Sequence, residues 1–351
     1  MVRVVSLSHM KISILQKLTT LSLVCVFLII AAGSIVRMTG SGMGCPDWPK
    51  CFGHTIPPTD VNQVLWKPNH TFKKGQIIIH QEALWVCQED FASRNDLVID
   101  HWQKYTKHDY ATFNAFHTWI EFVNRLVGAF TGLPVLLLFF LSLIYSYKNK
   151  TWWIALCAFL VLFLLGFEAW LGKLVVDGNL IPGSITIHML GAVAMVILMV
   201  YMLVRMKARS FQSNNQQRML IGVFLLLIIL QLLIGTQVRE EVDTLVHTGI
   251  EKPEIIENLG TMFLIHRSFS WLVMIIGAMS VWVLWKNQIR PKALYLISLL
   301  LAIQLLGGVS LAWFDLPALM QPVHLIAAIG LIGAASYLVF GLRPRTSMTQ
   351  T

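Results

Sequence analysis

The sequence predicts an all-α polytopic membrane protein: eight transmembrane helices, arranged as two tandem four-helix bundles related by pseudo-two-fold symmetry. Three observations predict it. Of 351 residues, 56% are hydrophobic and only 13% charged, against about 25% charged in a soluble domain. Eight apolar runs are long enough to cross a bilayer, each near the ~20 residues that a spanning helix needs. The first and second halves of the chain can also be laid over each other. This composition excludes a soluble enzyme, and it is far too apolar for a disordered chain. The net charge of +9 needs no nucleic-acid partner, because Lys and Arg gather in the inner loops of membrane proteins.

The runs cover roughly residues 18–36, 116–145, 152–176, 185–204, 219–238, 262–285, 293–313 and 323–342. Backbone polarity in lipid leaves helices as the economical structure for them. The second run is interrupted near its start by His117, Glu121, Asn124 and Arg125. Basic residues cluster at alternate connections: Arg3, Lys11 and Lys17; Lys148 and Lys150; Arg205, Lys207, Arg209 and Arg218; Lys286, Arg290 and Lys292; Arg343 and Arg345. The connection after the fifth run is acidic instead, with Glu240, Glu241, Asp243, Glu251, Glu254 and Glu257. Both termini are therefore expected in the cytoplasm. The first run lacks a clear cleavage site and reads as a retained helix. The short basic start, without an Arg- and Ser-rich presequence, points to a bacterial cytoplasmic (inner) membrane.

One long segment, residues 37–115, falls outside and alone has soluble composition. It holds Cys45, Cys51 and Cys87. An outside location permits a disulfide closing the short Cys45–Cys51 loop, with two free thiols as the alternative. Cys87 has no evident partner. Cys25 and Cys157 sit in apolar runs as small packing residues.

The repeat rests on four matches in the same order. Gly33-Ser34-Ile35-Val36-Arg37 corresponds to Gly235-Thr236-Gln237-Val238-Arg239. Asn124-Arg125 corresponds to His266-Arg267, and Gly172 and Gly308 each precede a histidine, His188 and His324, by sixteen residues. Four spans per half make the repeats parallel. The expected domains are therefore 1–210, which includes the outer segment, and 211–351.

Ionisable residues inside a membrane are functional candidates by default. His266 and His324, at the outer ends of spans six and eight, have the placement that a bis-histidine haem needs. Two unrelated histidines bonding backbone carbonyls are the alternative. The repeat gives His188 the same place in the first half, but its mate is Asn124. His117, two turns away on the same helix face, either replaces the missing ligand or is an interfacial histidine. Glu121 lies between them, where the other half has Phe263. It reads as a proton-transfer group or as an ion-pair partner of Arg125 four residues on. Arg37, Arg125, Arg239 and Arg267 suit haem propionates or interfacial anchoring.

These residues carry a family resemblance. The stretch from Gly33 through Cys45-Pro46-Asp47-Trp48-Pro49-Lys50-Cys51 resembles the opening outer loop of the haem A synthases. Trp119-Ile120-Glu121-Phe122-Val123-Asn124-Arg125 resembles that family's Glu-x-x-His-Arg element, and His188, His266 and His324 match its other histidines. The resemblance covers nearly the whole chain. It implies a membrane oxidoreductase that oxidises the C8 methyl group of haem O to a formyl group, with water-derived oxygen, giving haem A for cytochrome oxidase. It implies haem b on His266 and His324 as cofactor, substrate haem at His188 and position 124, Glu121 as the essential acid, and Cys45 and Cys51 as the outer cysteine pair. The implied partners are a haem O synthase, an electron acceptor and membrane lipid. The chain departs from the family pattern at Asn124 and in its long outer segment. A di-haem electron-transfer protein is the competing reading. A repeat transporter is a third, weakened because Pro134 in the second span has no counterpart in the sixth.

Overall fold

The computed structural model describes residues 11–106, 112–177, 183–208 and 210–344. Arg3, Arg209 and Arg345, used above for orientation, lie outside the described residues, as does the stretch 107–111 of the outer segment. Among the described residues, eight helices are long and apolar enough to cross a membrane, as the sequence predicts. They are α1 (Ile12–Met38), α2 (Ala115–Asn149), α3 (Trp152–Asp177), α4 (Ser184–Met206) and α5 (Asn215–His247). After the short α6 (Lys252–Asn258) come α7 (Thr261–Lys286), α8 (Lys292–Trp313) and α9 (Met320–Gly341).

Local chemistry sets the ends. Asn114 Oδ1 accepts the Phe116 backbone N–H at 3.0 Å, a cap that starts α2. Asn214 and Gln217 form a capping box at the start of α5. α1 stops before Gly40, whose φ of 67° is left-handed. α5 runs nine residues past the predicted end at 238, because Arg239 and Asp243, one turn apart, pair at 2.8 Å along its polar extension.

The described residues form two compact units: residues 11–31, 130–168, 185–208 and 210–344, and residues 32–106, 112–129, 169–177 and 183–184. In the first unit, α5, α7, α8 and α9 pair in a closed ring: α5 on α7, α7 on α8, α8 on α9, α9 on α5. The ring sets α7 and α9 across a diagonal. Its core includes Phe224, Val273, Leu301 and Leu331. The portions of α1 to α4 in the same unit share a core of Leu15, Leu138, Ile154 and Met202. Val196 and Met199 of α4 also cluster with Ile329 of α9. A Cβ on Gly333 of α9 would lie 3.4 Å from Val196, so small residues there let these two helices approach.

The second unit holds the outer segment, which the sequence reads as a loop and the structure shows to be a folded module. Its strands are β1 (Thr71–Phe72), β2 (Ile77–His80), β3 (Ala83–Cys87), β4 (Phe91–Ala92) and β5 (Trp102–Lys104). β1 pairs with β4, and β2, β3 and β5 form an antiparallel sheet. The β2–β3 turn is Gln81-Glu82, both at positive φ, the two-residue form that matches strand twist. One small core gathers Phe52, Val64, Ile77 and Leu84 around Cys45 and Cys51. Phe72, Ile78, Cys87 and Trp102 form another.

Candidate functional site

Two half-buried imidazoles face into the ring of α5, α7, α8 and α9. His266 comes from α7 and His324 from α9, the diagonal pair, within electrostatic reach of each other. Gln231 of α5 donates to the His266 carbonyl at 3.0 Å, and Gln304 of α8 donates to the His324 carbonyl at 2.7 Å. Four residues beyond each glutamine is a glycine, Gly235 and Gly308. A Cβ on Gly235 would meet the His266 ring at 3.0 Å, one on Gly307 would meet His324 Nδ1 at 3.0 Å, and one on Gly308 would lie 3.6 Å from His324 Cε1. Both Nδ1 atoms are buried with no hydrogen-bond partner among the described residues. A buried ring nitrogen left unbonded is costly, and an iron bond removes that cost. Two such nitrogens beside bare helix surfaces fit a bis-histidine haem.

His188 of α4 is placed differently. Its Nδ1 faces the carboxyl group of Glu168 on α3. Glu168 is buried, and a Cβ on Gly191 of α4 would run into its carboxyl group. Sequence reasoning missed Glu168, Gln231 and Gln304. The signal was present: Gln231-Leu-Leu-Ile-Gly235, Gln304-Leu-Leu-Gly-Gly308 and Glu168-Ala-Trp-Leu-Gly172 share one pattern at matching positions.

A second cluster lies around the start of α2. Glu121 is buried; its Oε2 accepts the Cys45 backbone N–H at 2.9 Å and its Oε1 accepts from Arg125. The ion pair that their spacing offers as the alternative to proton transfer is therefore in place. Arg125 Nη1 also donates to the Asp47 and Lys50 carbonyls at 2.9 and 2.8 Å. Cys45 and Cys51 form a disulfide, so Arg125 and Glu121 together hold the closed Cys45–Cys51 loop onto α2. Thr118 Oγ1 adds a bond to the Gly44 carbonyl at 2.7 Å. A Cβ on Gly44 would lie 2.5 Å from the His117 carbonyl, so only glycine lets the loop come this close.

His117 Nδ1 bonds the Ser41 hydroxyl at 2.9 Å, which engages one of its ring nitrogens. Asn124 Oδ1 is buried without a partner among the described residues. A Cβ on Gly33 would lie 3.8 Å from it. Gly33 thus faces residue 124 as Gly235 faces His266.

Arg37 ends α1. Arg239 donates to Gln321 at 2.6 Å and pairs with Asp243. Arg267 lies over the Phe263 ring, 5.8 Å from its centre. Burial pushes the Asp47 carboxyl above its ordinary 3.8, against the pull of the Gly53 and Phe52 N–H groups and the Arg125 charge. Cys87 is a free, buried thiol that donates to the Glu89 carbonyl, and burial pushes it up from 9.0.

A family model described as a cytochrome oxidase assembly protein, COX15-CtaA, matches residues 16–82 and 86–336. Three curated relatives carry the name Heme A synthase. The one from Shewanella oneidensis is 26% identical over 198 residues, 56% of this chain and 47% of that protein, so the chain spans about half of that relative. The one from Wolbachia pipientis is 23% identical over 351 residues, covering 92% of this chain and 91% of its own. The one from Bartonella tribocorum is 22% identical over 340 residues, covering 88% and 86%.

Proposed function

The chain belongs to this cytochrome oxidase assembly protein family, an integral membrane protein by its eight apolar helices, and from that premise we propose that it converts haem O to haem A. Oxidation of the C8 methyl group to a formyl group with water as oxygen source releases four protons and four electrons, so the reaction requires an electron acceptor. The observation that carries the reading is the extent of the match: the family model reaches from residue 16 to 336, and two relatives named for this synthesis align over 92% and 88% of the chain.

The residues then take roles. His266 and His324 would hold haem b, whose iron supplies one-electron redox chemistry when bound. Gln231 and Gln304 set the two histidine-bearing turns through their carbonyls. His188 is the proposed axial ligand of the substrate haem. Asn124 supports the reading of a product that must leave, because an amide holds iron weakly where the other half has a histidine. His117 is the alternative ligand. Glu121, fixed in place by Arg125 and the Cys45 N–H, is the proposed group that takes up protons at the methyl group. Arg37, Arg125, Arg239 and Arg267 are proposed to anchor propionates or the membrane interface, Arg125 while also clamping the disulfide loop. Substrate chemistry is assigned to residues 1–210 and the resident haem to 211–351.

The excess of Lys and Arg on one set of connections supports cytoplasmic termini in a bacterial inner membrane. A haem O synthase would supply the substrate.

The test is haem extraction from protein purified out of a host that also makes haem O, with identification by chromatography and mass. Haem A or its alcohol precursor is expected with the wild type and is expected to be absent with Glu121→Gln, which keeps the size of the side chain. Haem b alone, with haem O untouched, would overturn the reading in favour of di-haem electron transfer.

A further inference from the structure

Glu168 is the residue that the reaction above leaves without a role. A carboxyl group buried within an apolar membrane helix is expensive and calls for a partner. α3 carries this one in the run Leu164-Leu165-Gly166-Phe167-Glu168-Ala169-Trp170. Its partner among the described residues is a ring nitrogen, His188 Nδ1. The Glu168 side chain is 8% exposed and that of His188 49%, so the carboxyl group sits inside and the imidazole projects from it. Gly191, three residues after His188 on α4, leaves the space that the carboxyl group fills. Any other residue at 191 would collide with it. The second carboxyl oxygen, Oε1, is buried without a hydrogen-bond partner among the described residues, so His188 is what the side chain is placed to hold.

We propose that Glu168 is the positioning residue of the first-half haem site: it holds His188 by Nδ1 and thereby presents Nε2 to the iron of the substrate haem. The inference rests on the reading of His188 as an axial ligand. An imidazole has two nitrogens, and the one that is hydrogen-bonded fixes which is left for a metal. A carboxyl partner also fixes the ring plane and makes the ligating nitrogen a stronger donor. At the matching position of α8, Gln304 reaches the backbone carbonyl of His324 instead, and His324 Nδ1 has no hydrogen-bond partner among the described residues. The other histidine of that half, His266, meets the neutral amide of Gln231 at its Nε2, 3.4 Å away, where His188 meets a carboxyl group. Glu168 thus gives a firm hold on His188 as the proposed ligand.

The test uses the full chain in detergent, purified with its haems, and compares wild type with Glu168→Gln, Glu168→Leu, Glu168→Asp and His188→Ala. The His266–His324 haem is an internal control for folding, because its spectrum stays constant in any variant that folds. Glu168→Gln and Glu168→Leu are expected to raise the midpoint potential of the His188 haem and to weaken its retention by about 10-fold or more, the usual cost of losing a partner of a metal-bound histidine. Glu168→Asp is expected to restore part of both. Should both Glu168 variants keep the wild-type potential and retention while His188→Ala loses the haem, the positioning role is wrong and the ligand assignment stands. Should His188→Ala leave every haem signal unchanged, the ligand assignment fails and the positioning role with it.

Discussion

His188 and His324 stand at the same place in the repeat, sixteen residues after a glycine, yet their surroundings differ in kind. His324 meets glycine surfaces and a glutamine that bonds only its backbone, and its Nδ1 has no partner. His188 meets a buried carboxyl group. The difference recurs between α2 and α7. Where α7 has Phe263 and His266, α2 has Glu121 and Asn124. These departures place Glu168 and Glu121 in the first half and put Asn124 where the second half has a proposed ligand. A site that must hold one group permanently wants two equal ligands and an apolar wall. A site that must accept a substrate, move protons and release a product wants unequal ligands and acid groups. On the proposed function, this asymmetry is the physical form of a division of labour between the halves.

The largest expected effect breaks the second half. Gly235→Leu would drive a side chain into the His266 ring, where even a Cβ would come within 3.0 Å. Overpacking of this kind costs about 1–3 kcal/mol, and here it also displaces a ligand. Loss of the resident haem is expected, read as the haem-to-protein ratio of the purified chain, with the disulfide of the outer module still formed. Full haem occupancy in this variant would remove His266 from the site.

Next in size, Asn124→His makes the two halves alike. Gly33 already faces position 124 as Gly235 faces His266, so the new ring has a matching place. Tighter retention of haem by the first half and slower release of product are expected, both measurable by transfer of haem to an apo-globin acceptor. Equal release rates from Asn124→His and wild type would show that the ligand asymmetry does not govern product exit.

These contrasts were only partly legible in the sequence. The eight spans were, because an apolar run of that length has few other structures open to it. So was the Glu121–Arg125 pair, since residues four apart share a helix face. The Cys45–Cys51 disulfide followed from six-residue spacing in an outer segment, and the structure contains it. Glu168 was not legible: one polar residue within a long apolar run does not disturb the hydropathy that identifies the span. Its meaning lies in His188, twenty positions away on the next helix. The outer strands were also hidden, because segments of two to five residues are too short to show an alternating pattern.

The smallest effect sharpens the comparison at the disulfide loop, which only the first half possesses. Asp47 accepts the Gly53 N–H at 2.9 Å while its other oxygen, Oδ1, is buried without a partner. Burial raises its folded pKa above the ordinary 3.8, although neighbouring N–H groups and Arg125 oppose the rise. The folded loop therefore keeps a proton that the unfolded chain gives up. By linkage, this contribution to stability is fully present below the unfolded value and is lost as pH rises through the folded one. Asp47→Asn keeps an oxygen for the Gly53 N–H and has no proton to lose. Thermal unfolding of the two proteins across about pH 4 to 8 should show a downward slope for wild type that is shallower in Asp47→Asn. The loop that Arg125 clamps to α2 would then carry a buried acid of its own, so the outer module would belong to the proton-handling half by chemistry as well as by sequence. Identical slopes would make Asp47 a passive turn residue and confine that acid chemistry to Glu121 and Glu168.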